Sequence, residues 1–213
     1  MNKLLRFNDE QQYLIFDFET CHVNLLHDNY IWQLGFIVAN NKEILEKHNY
    51  YIYWDNILDK ISEGAARHTR FNYEIYKKNA RPQEEVLDIF EKYLYDDKYI
   101  RLGHNIFHFD IFLHNQWRRI NKRKTNWSYL NNTLDTDSIA RAWKIGVKGI
   151  KRNEWLQSMF KYGSYKEKGM KTNLTALGKE FGIEYNYDTL HDGLNDCVLD
   201  YLVFKQLMYK IDI

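Results

Sequence analysis

The first third of the chain alternates apolar runs with polar turns, in the manner of β-strands. Three runs rich in β-branched and aromatic residues predict three successive strands: YLIFDF at 13–18, IWQLGFIVAN at 31–40 and ILEKHNYYIYW at 44–54. Successive strands usually lie side by side, so we expect an antiparallel meander. A later run, KYIRLGHN at 98–105, predicts a further strand that ends in a loop.

The remainder of the chain favours helices. Pro82 suits a first helical turn, and the apolar residues that follow it fall largely on one helical face: Val86, Leu87, Ile89, Phe90, Tyr93 and Leu94. The segment FDIFLHNQWRRIN at 109–121 predicts a second helix, and NLTALGKEFGI at 173–183 predicts a short one that Gly182 ends.

Two further helices complete the pattern. The segment NNTLDTDSIA at 131–140 predicts a short strand that leads into a helix capped by Asp137 or Ser138. A last helix is predicted from Leu194 to about Met208. Strands and helices in this order indicate an α/β fold with a mixed sheet, and 213 residues without a low-complexity linker predict a single domain, 1–213.

Composition narrows the class of protein. No run approaches the roughly 18 apolar residues of a membrane span, and the first residues lack the apolar stretch of a secretory signal. We therefore expect a soluble, cytoplasmic protein with no membrane partner. The two cysteines, Cys21 and Cys197, fit a reducing compartment, and we assign neither a role. Abundant Lys, Asn, Ile and Tyr are compatible with a bacterial or phage source.

Positive charge is concentrated in the third quarter of the chain, although the net charge is only +1. The run from Arg118 to Lys124 holds only basic charges, which suit a solvated helix end and substrate contact about equally. Nine Lys/Arg between 141 and 171 are interleaved with Trp and Tyr. Cations that neutralise phosphates and aromatic rings that stack on bases are how single strands are bound without sequence preference. We therefore predict substrate contacts from Lys148, Lys151 and Arg152.

Two acids interrupt the first predicted strand. Side chains alternate along a strand, so Asp17 and Glu19 share one face while Phe16 and Phe18 share the other. Both acids could simply point to solvent. If both are instead ionised side by side in a buried strand, they need a cation between them, and oxygen ligands suit a hard divalent ion such as Mg²⁺ or Mn²⁺.

Three more residues support the second interpretation. Asp110 follows GHNIFHF at the start of a helix, and Asp196 lies on the apolar side of the last helix. His191 precedes Asp196 by five residues, which places the two about 140° apart on a continuous helix. His191 must therefore lie on the loop or the first turn that leads into the helix if both serve one site.

These motifs, D-x-E-T, G-H-N-x(3)-F-D and H-x(4)-D in that order, resemble those of the DnaQ-like, or DEDDh, 3′–5′ exonucleases. Two softer matches, TLDTDSIARA and NLTALGKEFGIE, extend the similarity from about Tyr13 to Tyr209. The resemblance implies a ribonuclease H-like mixed five-stranded sheet, three antiparallel strands first, flanked by helices. It also implies a metal-dependent nuclease that releases nucleoside monophosphates from a 3′ end.

The resemblance further implies roles for single residues. Two divalent cations, Mg²⁺ or Mn²⁺, would be held by four acids, with Asp17 between both ions, Glu19 and Asp196 completing one, and Asp110 acting directly or through water. His191 would be the general base that takes a proton from the attacking water.

Three further residues match positions near the terminal nucleotide in relatives, and each has a plainer alternative. Thr20 and Asn105 are also ordinary residues for a strand end and a turn. Phe18 would stack on the last base or, equally, lie in the core. The chain departs from many relatives at Cys21 and His22, where they have Thr and Gly, and in a longer basic and aromatic insertion at about 141–171.

Other functions stay open on the sequence. The chain could be a catalytically inactive exonuclease-like module that binds nucleic acid or a polymerase, or a metallohydrolase of small nucleotides. A partner nucleic acid with a free 3′ end is expected, with DNA and RNA both open. A homodimer or a polymerase partner rests on family analogy alone.

Overall fold

The computed structural model describes residues 3–25 and 29–213. Its strands are β1 (Gln12–Thr20), β2 (Ile31–Ala39), β3 (Ile44–Tyr53), β4 (Ala80–Pro82), β5 (Tyr99–Gly103) and β6 (Thr133–Asp135). Its α-helices are α1 (Ile57–Lys60), α2 (Glu63–His68), α3 (Tyr73–Asn79), α4 (Gln83–Leu94), α5 (Asp110–Ile120), α6 (Thr136–Lys144), α7 (Trp155–Gly163), α8 (Leu174–Glu180) and α9 (Gly193–Leu207).

The described strands form one mixed sheet in the order β4-β3-β2-β1-β5-β6. β1, β2 and β3 pair antiparallel, whereas β5 and β6 continue the sheet parallel to β1. The predicted α/β class with three antiparallel strands first is therefore confirmed. The strand count of five was wrong, because Ala80–Pro82 adds a short edge strand parallel to β3.

This extra strand explains the position of Pro82. Proline has no N–H to donate and is tolerated at a sheet edge, where one side of the strand needs no donor. Pro82 is the last residue of β4 and also the residue that precedes α4. Pro82 therefore ends β4 and directly precedes α4, and only its preference for the start of a helix was recognised from the sequence.

The alternation of β1 decides which layer each side chain enters. The ring of Tyr13 lies 5.2 Å from that of Phe204 on α9, and the ring of Phe16 lies 5.2 Å from that of Phe90 on α4. Because side chains alternate along a strand, Asp17 and Glu19 lie on the same face of β1 as Tyr13 and Ile15. Both acids therefore point toward the layer that contains α9.

A close backbone approach brings the start of α9 against the sheet. Gly35 of β2 pairs with Asp17, and a Cβ atom on Gly35 would lie 2.1 Å from the carbonyl carbon of Gly193. No side chain fits in that gap, so two glycines allow the first turn of α9 to contact the strand directly. The first turn of α9 is thereby held beside the acids of β1.

The helix boundaries largely follow the predictions. α8 ends just before Gly182, whose φ of +65° is in the left-handed region, as predicted for a glycine that ends a helix. The cap of α6 was predicted wrongly, since Asp135 and neither Asp137 nor Ser138 is the N-cap and accepts the Ser138 N–H. Within the described residues, no helix is long and apolar enough to cross a membrane.

Candidate active site

A cleft of about 300 Å³ opens where β1 ends, beside the first turns of α5 and α9. It receives side chains from elements that are far apart in the sequence. Its lining comprises Asp17, Phe18, Glu19, Thr20, Val23, Ala65, His68, Thr69, His104, Asn105, Phe109, Asp110, His191 and Asp196. The cleft therefore contains all five residues that the sequence predicts as catalytic.

Four carboxyl groups converge in this cleft, and we call Asp17, Glu19, Asp110 and Asp196 the acid cluster. Ligand oxygens of Asp17, Glu19 and Asp196 lie within 4.8 Å of one another. Asp110 begins α5, and one of its carboxyl oxygens accepts the backbone N–H of Phe18 at 3.3 Å. That bond fixes Asp110 against the strand that carries Asp17 and Glu19.

Burial and mutual repulsion disfavour ionisation of the cluster. Burial raises the pKa of Asp17 well above its ordinary value, and the charges of Asp110 and Asp196 raise that pKa further. Burial likewise raises the pKa of Asp110 to about 8 and that of Asp196 to about 7. The pKa of Glu19 is raised by burial and then by the neighbouring Asp196. At neutral pH the cluster therefore binds protons unless another cation replaces them.

The acid cluster has the chemistry of a divalent-cation site. None of the ion pairs within residues 3–25 and 29–213 joins a Lys or Arg side chain to any of these carboxyls. The donors of the acid cluster are oxygens, which hard cations such as Mg²⁺ and Mn²⁺ prefer. The residues present therefore fit a metal, and the cluster could hold one.

His191 lies on the loop before α9, one of the two positions that the spacing to Asp196 allows. Asp192 is the N-cap of α9, so His191 precedes the helix, and its φ of +66° turns the backbone. Its backbone N–H points at both carboxyl oxygens of Asp196, each 3.3 Å away. The residue is exposed at the cleft, and partial burial together with the charges of His68 and Arg70 lowers the pKa of its imidazole.

The end of α2 and the turn after it contact the loop that carries His191. The ring centroids of His68 and His191 are 3.8 Å apart, and the guanidinium of Arg70 donates a hydrogen bond to the carbonyl oxygen of Asp188. Sequence reasoning missed His68, because 123 positions separate it from His191 and no motif links the two. Only the fold reveals that contact.

A second missed residue, Asp200, lies beneath the acid cluster. It is four residues after Asp196 on α9 and is 2% exposed. Its Oδ1 accepts the hydroxyl of Thr136 at 2.5 Å, and that hydroxyl oxygen lies 2.9 Å from Nδ1 of His104, a cleft residue. Burial raises the pKa of Asp200 well above its ordinary value. The spacing of four from Asp196 was the one sequence signal for it.

The predicted nucleotide-contacting residues lie at the cleft, with one correction. Thr20 is nearly buried and its hydroxyl donates to the carbonyl of His22 at 2.6 Å. Asn105 has a φ of +62°, and its N–H is held by Asp135 at 3.1 Å. The ring of Phe18 is only 4% exposed and packs in the core, so in this arrangement it cannot stack on a base. The core alternative is the one the structure favours.

The predicted basic contacts lie elsewhere. Gly149 pairs with Asp212 beyond the far end of α9, and Lys148, Lys151 and Arg152 surround that point. From Asp196 to the end of α9 the helix rises about 16 Å, so the fold does not bring these three cations to the acid cluster.

The run from Arg118 to Lys124 is also remote from the cleft, at the other end of α5. Arg118 pairs with Glu91 of α4, and Arg123 pairs with Asp88 at 2.7 Å and with Glu91 at 3.1 Å. These ion pairs fasten the end of α5 to α4. Of the two open interpretations of this run, the structure favours a helix end.

Comparisons with known proteins agree with this geometry. A family model described as an exonuclease, RNase_T, matches residues 14–204. The DNA polymerase III PolC-type of Ureaplasma parvum serovar 3 is 26% identical over 200 residues, which are 92% of this chain but 11% of the polymerase.

Solved structures match in fold. E. coli exonuclease I in complex with a dT13 oligonucleotide has a TM-score of 0.70 at 17% identity, over 94% of this chain and 41% of its own. A zinc-bound complex of E. coli exonuclease I with single-stranded DNA has a TM-score of 0.69, also at 17% identity, over 92% and 40%. The chain thus spans well under half the length of these relatives.

The ribonuclease H-like fold is therefore shared with exonuclease I, while the family assignment rests on the match to the chain's own sequence. Because the exonuclease model covers residues 14–204 and thus includes every acid of the cluster together with His191, the chain belongs to the RNase_T exonuclease family.

Proposed function

We propose that the chain is a single DEDDh-type domain that removes nucleotides from the 3′ end of a single-stranded nucleic acid in a metal-dependent reaction. The observation that carries the proposal is the convergence of four acids from β1, α5 and α9 with an exposed histidine beside them. An acid cluster without basic partners destabilises a folded protein, so it needs a functional reason.

The acid cluster would hold the cations. Asp17, Glu19 and Asp196 offer oxygens close enough to share an ion, and Asp110 is fixed next to them by its bond to the Phe18 N–H. Divalent cations bound there, two of Mg²⁺ or Mn²⁺ on this proposal, would neutralise the carboxylates and lower the pKa of a bound water. The raised pKa values of the free cluster predict that binding expels protons.

His191 would act as general base. The reaction forms a bond from a water oxygen to phosphorus and breaks the bond from phosphorus to the 3′ oxygen of the preceding nucleotide. The imidazole takes one water proton, the departing 3′ oxygen takes up a proton from solvent to become the new 3′-hydroxyl of the shortened strand, and a nucleoside 5′-monophosphate leaves. A neutral imidazole is needed for this, and the lowered pKa of His191 keeps it neutral near pH 7.

The walls of the cleft would position the last nucleotide. Thr20, the last residue of β1, and Asn105, two residues after the end of β5, both line the cleft that contains the acids. The fixed backbones of both residues would hold the terminal sugar and phosphate in register for attack. Since exonuclease I is described in complex with dT13, single-stranded DNA is the first substrate to test. A polymerase context is suggested by the PolC-type relative.

The test is a time course on matched 5′-labelled single-stranded DNA and RNA in Mg²⁺, Mn²⁺ or EDTA. We expect a metal-dependent ladder of shortening products, and we expect Asp17→Ala to abolish it. The faster ladder identifies the preferred sugar. Label that stays intact in both metals, while the strand still binds, would refute the exonuclease and leave the alternative of a binding module.

A further inference from the structure

The basic and aromatic insertion divides into two patches at opposite ends of the sheet. The distal patch consists of Lys148, Lys151 and Arg152, next to the far end of α9. It borders a separate groove of about 680 Å³ that is lined by Leu5 and Ile213 and by no residue of the acid cluster. From there α7 leads to Gly163, its last residue, which packs against His108, two residues before Asp110 of the acid cluster.

The second patch is the cleft-side loop, which we define as residues 164–171. Its start packs against His108, the neighbour in the chain of the cleft residue Phe109. A Cβ atom on Gly163 would lie 2.4 Å from the His108 ring, and Ser164 Oγ lies 3.1 Å from Nε2 of the same ring. At its other end, the main chain of Thr172 hydrogen-bonds His104, which lines the cleft. The loop is thus fastened at both ends to the segment that forms one wall of the active site.

The charges of the cleft-side loop are free to meet a ligand. Lys166, Lys168 and Lys171 are exposed and make no ion pair with any other residue that the structure describes. Cations behind the loop differ, because Arg141 is paired with Asp137 at 2.8 Å. The loop also carries one acid, Glu167, whose carboxylate accepts the Tyr165 hydroxyl at 2.9 Å, so three lysines against one acid leave a net charge of +2. A positively charged loop near an acidic cleft is suited to bind the phosphates that an acid cluster repels.

Two exposed aromatic rings accompany these lysines. Phe160, on the last turns of α7, and Tyr165, in the loop, are each 38% exposed. The edge of Phe160 is supported by Phe107, with ring centroids 5.0 Å apart. A rigid ring with a free face is a stacking platform for a base, and every base has a face to offer.

We propose that the cleft-side loop, together with Phe160, binds the single strand just upstream of its 3′-terminal nucleotide. This inference rests on the proposed function and adds the path of the substrate. Lys166, Lys168 and Lys171 neutralise backbone phosphates, while Phe160 and Tyr165 stack on bases. The distal patch has no part in it.

The chain supplies a matched control for this path. A triple variant with Lys166, Lys168 and Lys171 all changed to Gln loses three positive charges, and so does one with Lys148, Lys151 and Arg152 changed to Gln. With three phosphate contacts at about 0.7 each, the loop triple should flatten the dependence of log(kcat/KM) on log[salt] by about 2 for a long single strand. The distal triple should keep the wild-type slope, and a dinucleotide should be hydrolysed equally by all three proteins.

A second pair of variants tests the proposed stacking of Tyr165 on a base. Tyr165→Ala should weaken binding of the long strand by on the order of tenfold. Tyr209→Ala, which removes a 69% exposed ring at the far end of the molecule, should not change it.

Binding separates this inference from the proposed function. Fluorescence anisotropy of a labelled strand in EDTA measures binding without turnover. If the wild-type protein is inactive, the exonuclease proposal is refuted, but the role of the loop in binding can still be tested. An unchanged salt slope in the loop triple, or an equal change in the distal triple, would overturn the inference.

Discussion

Asp196 couples the stability of the protein to pH in a way that a metal ion should reverse. Its pKa is about 7 in the folded protein and 3.8 in an unfolded chain, with burial as the main cause. Between these values the folded state binds a proton that the unfolded chain has released. The free energy of unfolding therefore falls as pH rises from 4 to 7, the opposite of the effect of a salt-bridged Asp.

The size of the effect follows from the same two values. One proton changes the free energy of unfolding by about 1.4 kcal/mol per pH unit, so three units correspond to about 4 kcal/mol. For a domain of this length, each kcal/mol shifts Tm by about 2 to 4 °C. In EDTA, the fall in Tm from pH 4 to pH 7 should thus be about 10 °C larger in the wild type than in Asp196→Asn.

Calorimetric Tm values at a series of pH, in EDTA and in Mn²⁺, check this. Mn²⁺ should reverse this difference, since a cation binds the deprotonated acid cluster and stabilises the folded wild type more as pH rises, whereas Asp196→Asn lacks one of the proposed ligands. Glu154→Gln is the matched control, because it also turns a carboxyl into an amide but at an exposed position far from the cleft. Equal slopes for the wild type and Asp196→Asn in EDTA would refute the origin assigned to the effect.

Three further predictions concern other parts of the site. His191→Ala should lower kcat roughly 100-fold or more while Mn²⁺ affinity, measured by calorimetry, is kept; lost affinity would contradict its role as base. His68→Ala should lower kcat with KM unchanged, and His68→Phe should restore most of it by preserving the ring contact; equal losses would show that stacking on His191 is not what matters. Gly35→Ala should lower the free energy of unfolding in urea by about 3 kcal/mol, since its Cβ would meet the backbone of α9, whereas Gly64→Ala, with open space around it, should not; equal stabilities would exclude the tight contact.

The sequence alone predicted most of the elements, because each carried a local signal. Alternation and β-branched residues marked the first three strands, and the 3.6-residue period marked α4, α5 and α9. The helices α1, α2, α3 and α7 were not predicted from the sequence. Two other misses were competitions between local signals. Pro82 carried both an edge-strand and a helix-start signal, and three neighbouring residues, Asp135, Asp137 and Ser138, could each cap α6.

The residues of the candidate site also fall into two groups, those that the sequence identified and those that it did not. Five residues could be recognised by their order and spacing because each lies in a short motif: Asp17, Glu19, Asp110, His191 and Asp196. His68 and Asp200 were not, since one acts through a contact across 123 positions and the other carries no motif of its own. The two basic patches show the same limit, because a count of charges along the chain does not say at which end of the sheet each lies.

Periodicity and motif spacing are local properties of the chain, and they were enough to predict most of the elements and to identify the acids. Which of these residues meet depended on the fold. The approach of Gly35 to Gly193 set the first turn of α9 beside β1 and so brought Asp196 within 4.8 Å of Asp17 and Glu19. The path of α7 separates Lys148 and Lys151, near Asp212, from the lysines of the cleft-side loop, which starts against His108. Distances between residues far apart in the chain depend on packing, and packing is a property of the whole fold.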